Sequence, residues 1–198
     1  QDVAWQDYKL VPKLTMAGYS VMMKEISEQL NNQKISHVIL QAGVGGMAAA
    51  MIAGIARYLN HVPKIIVVEP ESAGCVLESI KVNKIKKIFI EKESVMGGMS
   101  CDEVSLIPWK ILQKAVSHCV TVSDKYVANT IKFLAKSKFS NEKIIGGECS
   151  TPGISSLIGL CNDTDTRKKL NLYENSKILL FGCEGDADEE LYRKLLNS

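Results

Sequence analysis

Four short apolar runs, each followed by a turn and then by a helix-like pattern, constrain the fold of this chain more than any other feature. The runs are HVILQ at 37–41, KIIVVEP at 64–70, HCVTVS at 118–123 and KILLFG at 177–182. Continuous apolar runs rich in β-branched residues are typical of strands buried on both faces. Because strands that alternate with helices usually pair in parallel, the sequence predicts an α/β fold: a doubly wound, mostly parallel sheet flanked by helices.

The rest of the chain fits between these strands without a visible domain boundary. Apolar residues recur at helical spacing over 14–32, and helices are also predicted at about 124–136 and 187–197. We find no repeat, low-complexity tract or long linker. With 198 residues, 46% of them hydrophobic, the chain can bury a substantial core. Residues 1–198 are therefore predicted to form a single α/β region.

Charge and cysteine usage argue against several classes of partner. The formal net charge is +2, and both signs are spread along the sequence, so no basic block predicts nucleic-acid binding. No apolar run is long enough to predict a membrane span, and the first residues do not resemble a signal peptide. The six cysteines show no C-x-x-C spacing and the three histidines are far apart, which predicts free thiols and no metal site. We therefore expect a cytoplasmic protein.

A glycine cluster follows the first strand, in the segment LQAGVGGMA at 40–48. Glycine lets the backbone curl around an anion, and the helix that follows presents unpaired N–H groups and the positive end of its dipole. Gly43, Gly45 and Gly46 are thus predicted to bind a phosphate group. The alternative is that these glycines only allow the following helix, rich in alanine, to pack closely on the sheet.

The glycine cluster alone leaves the identity of the phosphate ligand open. GVGGMA at 43–48 satisfies the loose dinucleotide pattern G-x-G-x-x-A, and Glu69 ends the next strand, about where a ribose-binding acid is expected. One interpretation is therefore an NAD-binding domain of the Rossmann type. The short pattern is weak by itself, so the surrounding sequence has to decide.

The chain as a whole resembles the second half of pyridoxal-phosphate enzymes of the tryptophan-synthase β-subunit fold, known as fold type II, and among them the diaminopropionate ammonia-lyases. The resemblance extends over nearly the whole chain. It is carried by QDVAWQDY at 1–8, LQAGVGGMA at 40–48, VEPESAGC at 68–75, MGGMSCDE at 96–103, PWKIL at 108–112, IIGGECSTPGI at 144–154 and CEGDAD at 183–188.

The resemblance implies pyridoxal 5'-phosphate as the cofactor and assigns a set of residues to its phosphate group. The expected phosphate-binding residues are Gly43, Val44, Gly45, Gly46 and Met47. Under this interpretation Glu69 is a strand-end residue rather than a ribose ligand.

The resemblance also implies roles for three residues at the other end of the cofactor and at the substrate. Cys183 is expected near the pyridine nitrogen, where the family usually has serine or threonine; Gly182, the other residue that could match, has no side chain. Glu148 matches an acid near the ring, although it could simply be an acid at a helix start. Asp2 matches an acid that transfers protons at the substrate, although a strand-end aspartate can also cap a turn.

The implied reaction is the α,β-elimination of 2,3-diaminopropionate to pyruvate and ammonia, by an enzyme that is generally a homodimer. The family's cofactor-binding lysine lies in an Asn-x-Phe-Lys type segment, and a ring-contacting asparagine lies in an Asp-Gly-Asn-His type segment. Neither occurs in this sequence. We therefore expect the chain to be the C-terminal half of a longer enzyme and inactive alone. A serine or threonine dehydratase, and a non-enzymatic half-domain that packs on a partner, are the alternatives.

Overall fold

The computed structural model describes residues 3–136 and 142–198. At the centre of these residues is a parallel four-stranded sheet with the strand order β3-β2-β1-β4. The strands are β1 His37–Gln41, β2 Lys64–Pro70, β3 His118–Val122 and β4 Ile178–Leu180. The four apolar runs are all strands, and the predicted parallel pairing is confirmed.

Helices fill the connections and account for most of the remaining described residues. In chain order they are α1 Leu10–Leu30, α2 Gly46–Tyr58, α3 Cys75–Val82, α4 Leu106–Ala115, α5 Val127–Ala135, α6 Pro152–Asn162, α7 Thr164–Leu170 and α8 Glu189–Asn197. Helix α1 begins at Leu10, before the predicted residue 14. Pro12 is compatible with this start because it lies in the first turn, where a backbone N–H makes no hydrogen bond within the helix. Within the described residues, no helix is long and apolar enough to cross a membrane.

The sheet separates two hydrophobic cores, as a doubly wound fold requires. Val38 and Leu40 point to the side that is covered by α1, α2, α3 and α4, whereas Ile39 between them points to the other side. That second core is formed with residues of α5, α6, α7 and α8. Every residue of β1 is buried, which explains why its sequence shows no polar alternation.

The strand order places a topological switch point beside β1. The chain moves from β1 outward through β2 to β3, and then returns to place β4 on the opposite side of β1. Connections that leave two neighbouring strands in opposite directions open a crevice at their carboxyl ends, which is where ligands bind in open α/β sheets. In this chain that crevice lies between the glycine turn after β1 and the loop after β4.

Candidate cofactor site

A cavity of about 370 Å³ lies at this switch point. Its volume is within the range of cofactor pockets. It is lined by the end of β1 and the glycine turn, by the loop at 97–101, by the turn at 148–150, by the segment after β4, by one side chain of α1 and by Val3. These residues are Val3, Tyr19, Gln41, Ala42, Gly43, Val44, Gly45, Gly46, Met47, Gly98, Met99, Cys101, Cys149, Cys183 and Glu184. The structure thus brings the predicted phosphate-binding residues and Cys183 into one cavity.

A larger cavity, of about 640 Å³, lies beside the edge strand β3, between α5 and α6. Its lining is mostly apolar, and its carboxylate, Asp163, is already used to cap α7 by accepting from the N–H groups of Asp165 and Thr166. Converging polar groups and free backbone N–H groups distinguish a cofactor site from a gap in packing. We therefore place the candidate site at the smaller cavity.

The glycine turn has a backbone that other residues could not adopt without distortion. Gly45 has a φ of +90°, and a Cβ there would lie 2.7 Å from Cδ1 of Leu112. A Cβ on Gly43 would lie 2.9 Å from both the carbonyl oxygen of Gly98 and Sγ of Cys101. Both positions require glycine because the turn is pressed against α4 on one side and against the loop at 97–101 on the other.

Helix α2 begins at this turn with its first N–H groups uncapped by any side chain. It carries no acidic residue in its first turn, so the positive end of its dipole faces the cavity without a compensating charge. The turn is held in place by hydrogen bonds of its own carbonyls, since Val44 O accepts from the N–H of Ser105 at 3.0 Å. An anion the size of a phosphate group fits this arrangement of backbone donors.

The opposite wall of the cavity is built from two loops that hydrogen-bond to each other. One is the short 3₁₀ turn Glu148–Ser150, and the other is the segment after β4 that contains Glu184. The N–H of Cys149 donates to Oε2 of Glu184 at 2.7 Å, and Oγ of Ser150 donates to the backbone carbonyl of Glu184 at 2.6 Å. These bonds join the two segments that contain the predicted ring-end residues; Cys183 lines the cavity, whereas Glu148 lies next to the lining residue Cys149 and is not itself part of the lining.

The two walls meet at a pair of sulfur atoms. The thiol of Cys183 donates to Sδ of Met47 at 3.3 Å. Met47 belongs to the first turn of α2, so this contact links the predicted phosphate-binding and ring-end residues directly. Burial raises the pKa of the Cys183 thiol, which keeps it protonated near neutral pH. A neutral thiol can donate a hydrogen bond, as the hydroxyl that the family usually places there would.

The ring end is acidic. Burial raises the pKa of the Glu148 carboxyl, and the nearby charges of Glu184 and Asp188 raise it further. The pKa of the Cys149 thiol is raised to about 12, chiefly by burial. Within the described residues, Glu148, Cys149 and Glu184 also form a group whose potential ligand atoms lie within 4.8 Å of one another. The spacing of the cysteines and histidines in the sequence did not indicate this group. That the protein has no metal site remains a prediction.

Glu69 does not have the geometry of a ribose ligand. Its side chain is fully buried, and its two carboxylate oxygens accept from the N–H groups of Val76 and Leu77 at 2.7 and 2.8 Å. It therefore satisfies the start of α3, and burial raises its pKa to about 7. This geometry agrees with the strand-end role expected under the pyridoxal-phosphate interpretation. Under the dinucleotide interpretation, Glu69 cannot serve as the ribose-binding acid.

Asp2, the predicted proton-transfer residue, lies outside the described residues. The residues that follow it are close to the site: Val3 lines the cavity, and the N–H of Ala4 donates to Oγ of Ser105 at 2.8 Å. Ser105 also donates its N–H to Val44 of the glycine turn. The role of Asp2 stays a prediction.

Several residues that line the cavity were not predicted from the sequence, among them Gln41, Tyr19, Cys149 and Glu184. A weak signal existed for two of them. Gln41 is a polar residue at the end of an otherwise apolar strand, directly before the glycine turn, and Glu184 follows Cys183 in CEGD. Tyr19 matched the apolar period of α1, so its position gave no sign of a ligand-facing role.

Comparison with known proteins identifies the family to which the chain is similar. A family model described as pyridoxal-phosphate dependent enzyme matches residues 6–175. Diaminopropionate ammonia-lyase of Escherichia coli is 28% identical over 202 residues, which cover 99% of this chain and 51% of that protein. The crystal structure of the Escherichia coli enzyme in complex with D-serine matches with a TM-score of 0.87 and 29% identity, over 99% of this chain and 50% of that one.

A second group of relatives is similar over a shorter stretch. A biosynthetic L-threonine dehydratase of Staphylococcus aureus is 29% identical over 146 residues, which are 72% of this chain and 33% of that protein. The chain thus spans about half the length of the ammonia-lyases that it matches and a third of this dehydratase.

The glycine turn, the uncapped helix start and the cavity beside them fit the phosphate group and ring of pyridoxal 5'-phosphate, and the family model covers most of the chain. This chain belongs to the family of pyridoxal-phosphate dependent enzymes.

Proposed function

We propose that this chain is the cofactor-binding half of an ammonia-lyase that acts on 2,3-diaminopropionate. The observation that carries the proposal is the glycine turn at the switch point, with its uncapped helix N-terminus and its Cys183–Met47 contact across the cavity. The similarity to diaminopropionate ammonia-lyase over 99% of the chain supports the choice of reaction. In this reaction the substrate and one water give pyruvate and two molecules of ammonia.

Pyridoxal phosphate, when bound, supplies an electron-withdrawing ring that accepts the electron pair left at the substrate Cα when its proton is removed. The chain's own residues have three tasks. The N–H groups of Gly45, Gly46 and Met47 bind the phosphate and fix the depth of the ring. When the ring is bound, the single S–H of Cys183 would donate to the ring nitrogen instead of to Met47, and Glu148, whose pKa is raised by burial, would be the acid of the ring end. Asp2 transfers a proton at the substrate.

We propose that the lysine that anchors the cofactor covalently lies outside these 198 residues. Its segment type, and that of the ring-contacting asparagine, do not occur in the sequence. The purified 198-residue chain should therefore release no pyruvate from 2,3-diaminopropionate, although it binds the cofactor. Release of pyruvate and ammonia in proportion to enzyme concentration would show that a lysine of this chain replaces the expected one.

Binding is tested with pyridoxamine 5'-phosphate, which has no aldehyde and therefore cannot react with surface lysines. Calorimetry should detect one site per chain that inorganic phosphate competes for and NAD does not. Gln33→Met, on the exposed surface at the other end of the sheet, is a matched control that should bind equally. Binding of NAD by a chain that does not bind pyridoxamine 5'-phosphate would overturn the proposal in favour of a dinucleotide site.

Threonine dehydration is the second candidate function, because a threonine dehydratase matches 72% of the chain at 29% identity. The match to the ammonia-lyase extends further along the chain, so we place the dehydratase second. Assays of a full-length enzyme containing this chain, with 2,3-diaminopropionate, serine and threonine as substrates, separate the two. A higher kcat/KM for threonine would reverse the order.

We also propose that the intact enzyme is a cytoplasmic homodimer that takes part in amino-acid catabolism. The cysteines of the described residues are free thiols, which is typical of a reducing compartment. Leu10, Leu14 and Val21 lie on one face of α1 and are 70%, 62% and 54% exposed, so a partner surface would bury apolar area there. Light scattering should give twice the monomer mass for the intact enzyme, and a monomeric mass would contradict the proposal.

A further inference from the structure

Gln41 ends β1 immediately before the glycine turn, and it is the polar side chain closest to that turn on its own strand. Its side chain is 6% exposed, and it lines the cavity of the candidate site. The four residues before it in β1 are also buried, and three of them are apolar. An amide at this position has to find hydrogen-bond partners in the interior.

The amide nitrogen of Gln41 reaches both loops of the ring end. Nε2 donates to the carbonyl of Phe181 at 3.0 Å and also lies within hydrogen-bond distance of the carbonyl of Cys149, at 3.4 Å. Phe181 is the residue after β4, two positions before Cys183, and Cys149 is adjacent to Glu148. One amide group therefore joins the strand that carries the phosphate turn to both segments that carry the predicted ring-end residues.

The amide oxygen of Gln41 is buried and accepts no hydrogen bond from any residue that the structure describes. Rotating the amide would place this oxygen against two carbonyl oxygens, so the observed orientation is the one that the surroundings permit. A buried amide with one unsatisfied atom is a poor choice for packing alone, because an apolar side chain of the same length would fill the space without that cost. The hydrogen bonds that Nε2 makes to the two loops explain why this position has an amide side chain.

We propose that Gln41 is a positioning residue that fixes the distance between the phosphate turn and the ring-end loops. This inference rests on the proposed function of the site. If Gln41 sets that distance, it affects ligands that engage both walls of the cavity at once and leaves ligands that engage only the phosphate turn unaffected. Its expected signature is therefore a selective loss of affinity for a phosphorylated pyridine, without loss of affinity for phosphate.

The experiment compares Gln41→Met with the unmodified chain, using pyridoxamine 5'-phosphate and inorganic phosphate as separate probes in calorimetry. Methionine has a similar length but no donor. We expect affinity for pyridoxamine 5'-phosphate to fall about tenfold, as for the loss of one buried hydrogen-bonded bridge, while affinity for phosphate stays within about twofold. The melting temperature should change little, since the lost donor to Phe181 and Cys149 is offset by removal of the unsatisfied oxygen. Gln33→Met is the matched surface control.

A second variant, Gln41→Glu, keeps the test decisive if methionine impairs folding. A protonated glutamate can donate to Phe181 O, whereas an ionised one repels it. Affinity for pyridoxamine 5'-phosphate, divided by that of the unmodified chain at the same pH, should therefore recover as the pH falls from 8 to 5. A purely structural role would not give this recovery for the phosphorylated pyridine alone.

Three results would overturn the inference. One is an unchanged affinity of Gln41→Met for pyridoxamine 5'-phosphate. Another is an equal loss for both probes together with a lower melting temperature, which would show a general structural role. The third is failure of the unmodified chain to bind either probe, and that result alone would also remove the proposed function.

Discussion

The two walls of the cavity offer different kinds of groups to a ligand. The predicted phosphate wall is a glycine turn and an uncapped helix start, whose geometry is imposed by close contacts such as that between Gly45 and Leu112. The ring wall consists of two half-buried acidic side chains, a half-buried thiol and an exposed thiol, in two loops that are joined by hydrogen bonds. A backbone site depends on conformation and tolerates few substitutions, whereas a side-chain site can be adjusted one group at a time.

Among the substitutions that distinguish the two walls, Gly45→Ala is expected to have the largest effect. The substitution forces a side chain into a φ of +90° and places its Cβ 2.7 Å from Leu112. Backbone strain and overpacking together should lower the free energy of unfolding by about 4 kcal/mol and abolish phosphate binding. Urea denaturation and phosphate calorimetry measure the two effects.

The control for this substitution is Gly159→Ala in α6, where an added Cβ meets nothing within 4 Å. Alanine there should stabilise the chain by about 0.5–1 kcal/mol, because it has the higher helix propensity. Equal effects of Gly45→Ala and Gly159→Ala would mean that the turn is not conformationally constrained.

A smaller effect, dependent on pH, is expected at Glu69, which ends the neighbouring strand and accepts hydrogen bonds from the start of α3. Its pKa of about 7 lies above its ordinary value of 4.5, so the folded state binds this proton more tightly than the unfolded state. The stability that this proton contributes is fully present below about pH 4.5 and is lost as the pH rises through 7. Relative to Glu69→Gln, the unmodified chain should lose about 3 kcal/mol over that interval.

Urea denaturation of both proteins between pH 4.5 and 8 checks this prediction, with Glu71→Gln as the control because Glu71 is exposed two residues further along. A difference between the unmodified chain and Glu69→Gln that does not change with pH would show that the Glu69 carboxyl has no raised pKa.

The smallest effect is expected on the ring wall, for Cys183→Ala. The thiol is one donor at the exposed side of the cavity, so its loss should weaken pyridoxamine 5'-phosphate binding about threefold and leave phosphate binding unchanged. Cys183→Ser should restore most of the affinity, because it keeps a donor, and Cys161→Ala is a control at another exposed thiol. Loss of phosphate binding in Cys183→Ala would contradict the division of the cavity into two independent walls.

The phosphate wall could be predicted from the sequence because its information is local. The strand at 37–41, the glycines at 43–46 and the start of α2 lie within a few residues of one another, and the pattern of strand, turn and helix is visible directly. The parallel sheet followed from the same reasoning, although β4 is shorter than the predicted run at 177–182.

The ring wall could not be predicted in the same way, because its contacts join residues far apart in the chain. Glu184 bonds to Cys149 across 35 positions, and Gln41 bonds to Phe181 across 140. Single residues of a loop carry no periodicity, so nothing in the sequence indicates which of them meet. Family resemblance named Glu148 and Cys183, but the residues that hold them in place emerged only from the tertiary structure.

The position of β4 next to β1 has a consequence for the order in which the molecule can acquire its ligand. The phosphate turn is synthesised long before the strand that closes the other side of the crevice, and bringing the two together requires closing a loop of about 140 residues. We expect a nascent or C-terminally shortened chain to bind a phosphate group but not the ring of the cofactor. We therefore expect cofactor loading to belong to the last stage of folding, and we expect a bound cofactor to stabilise the chain by holding the final strand in the sheet.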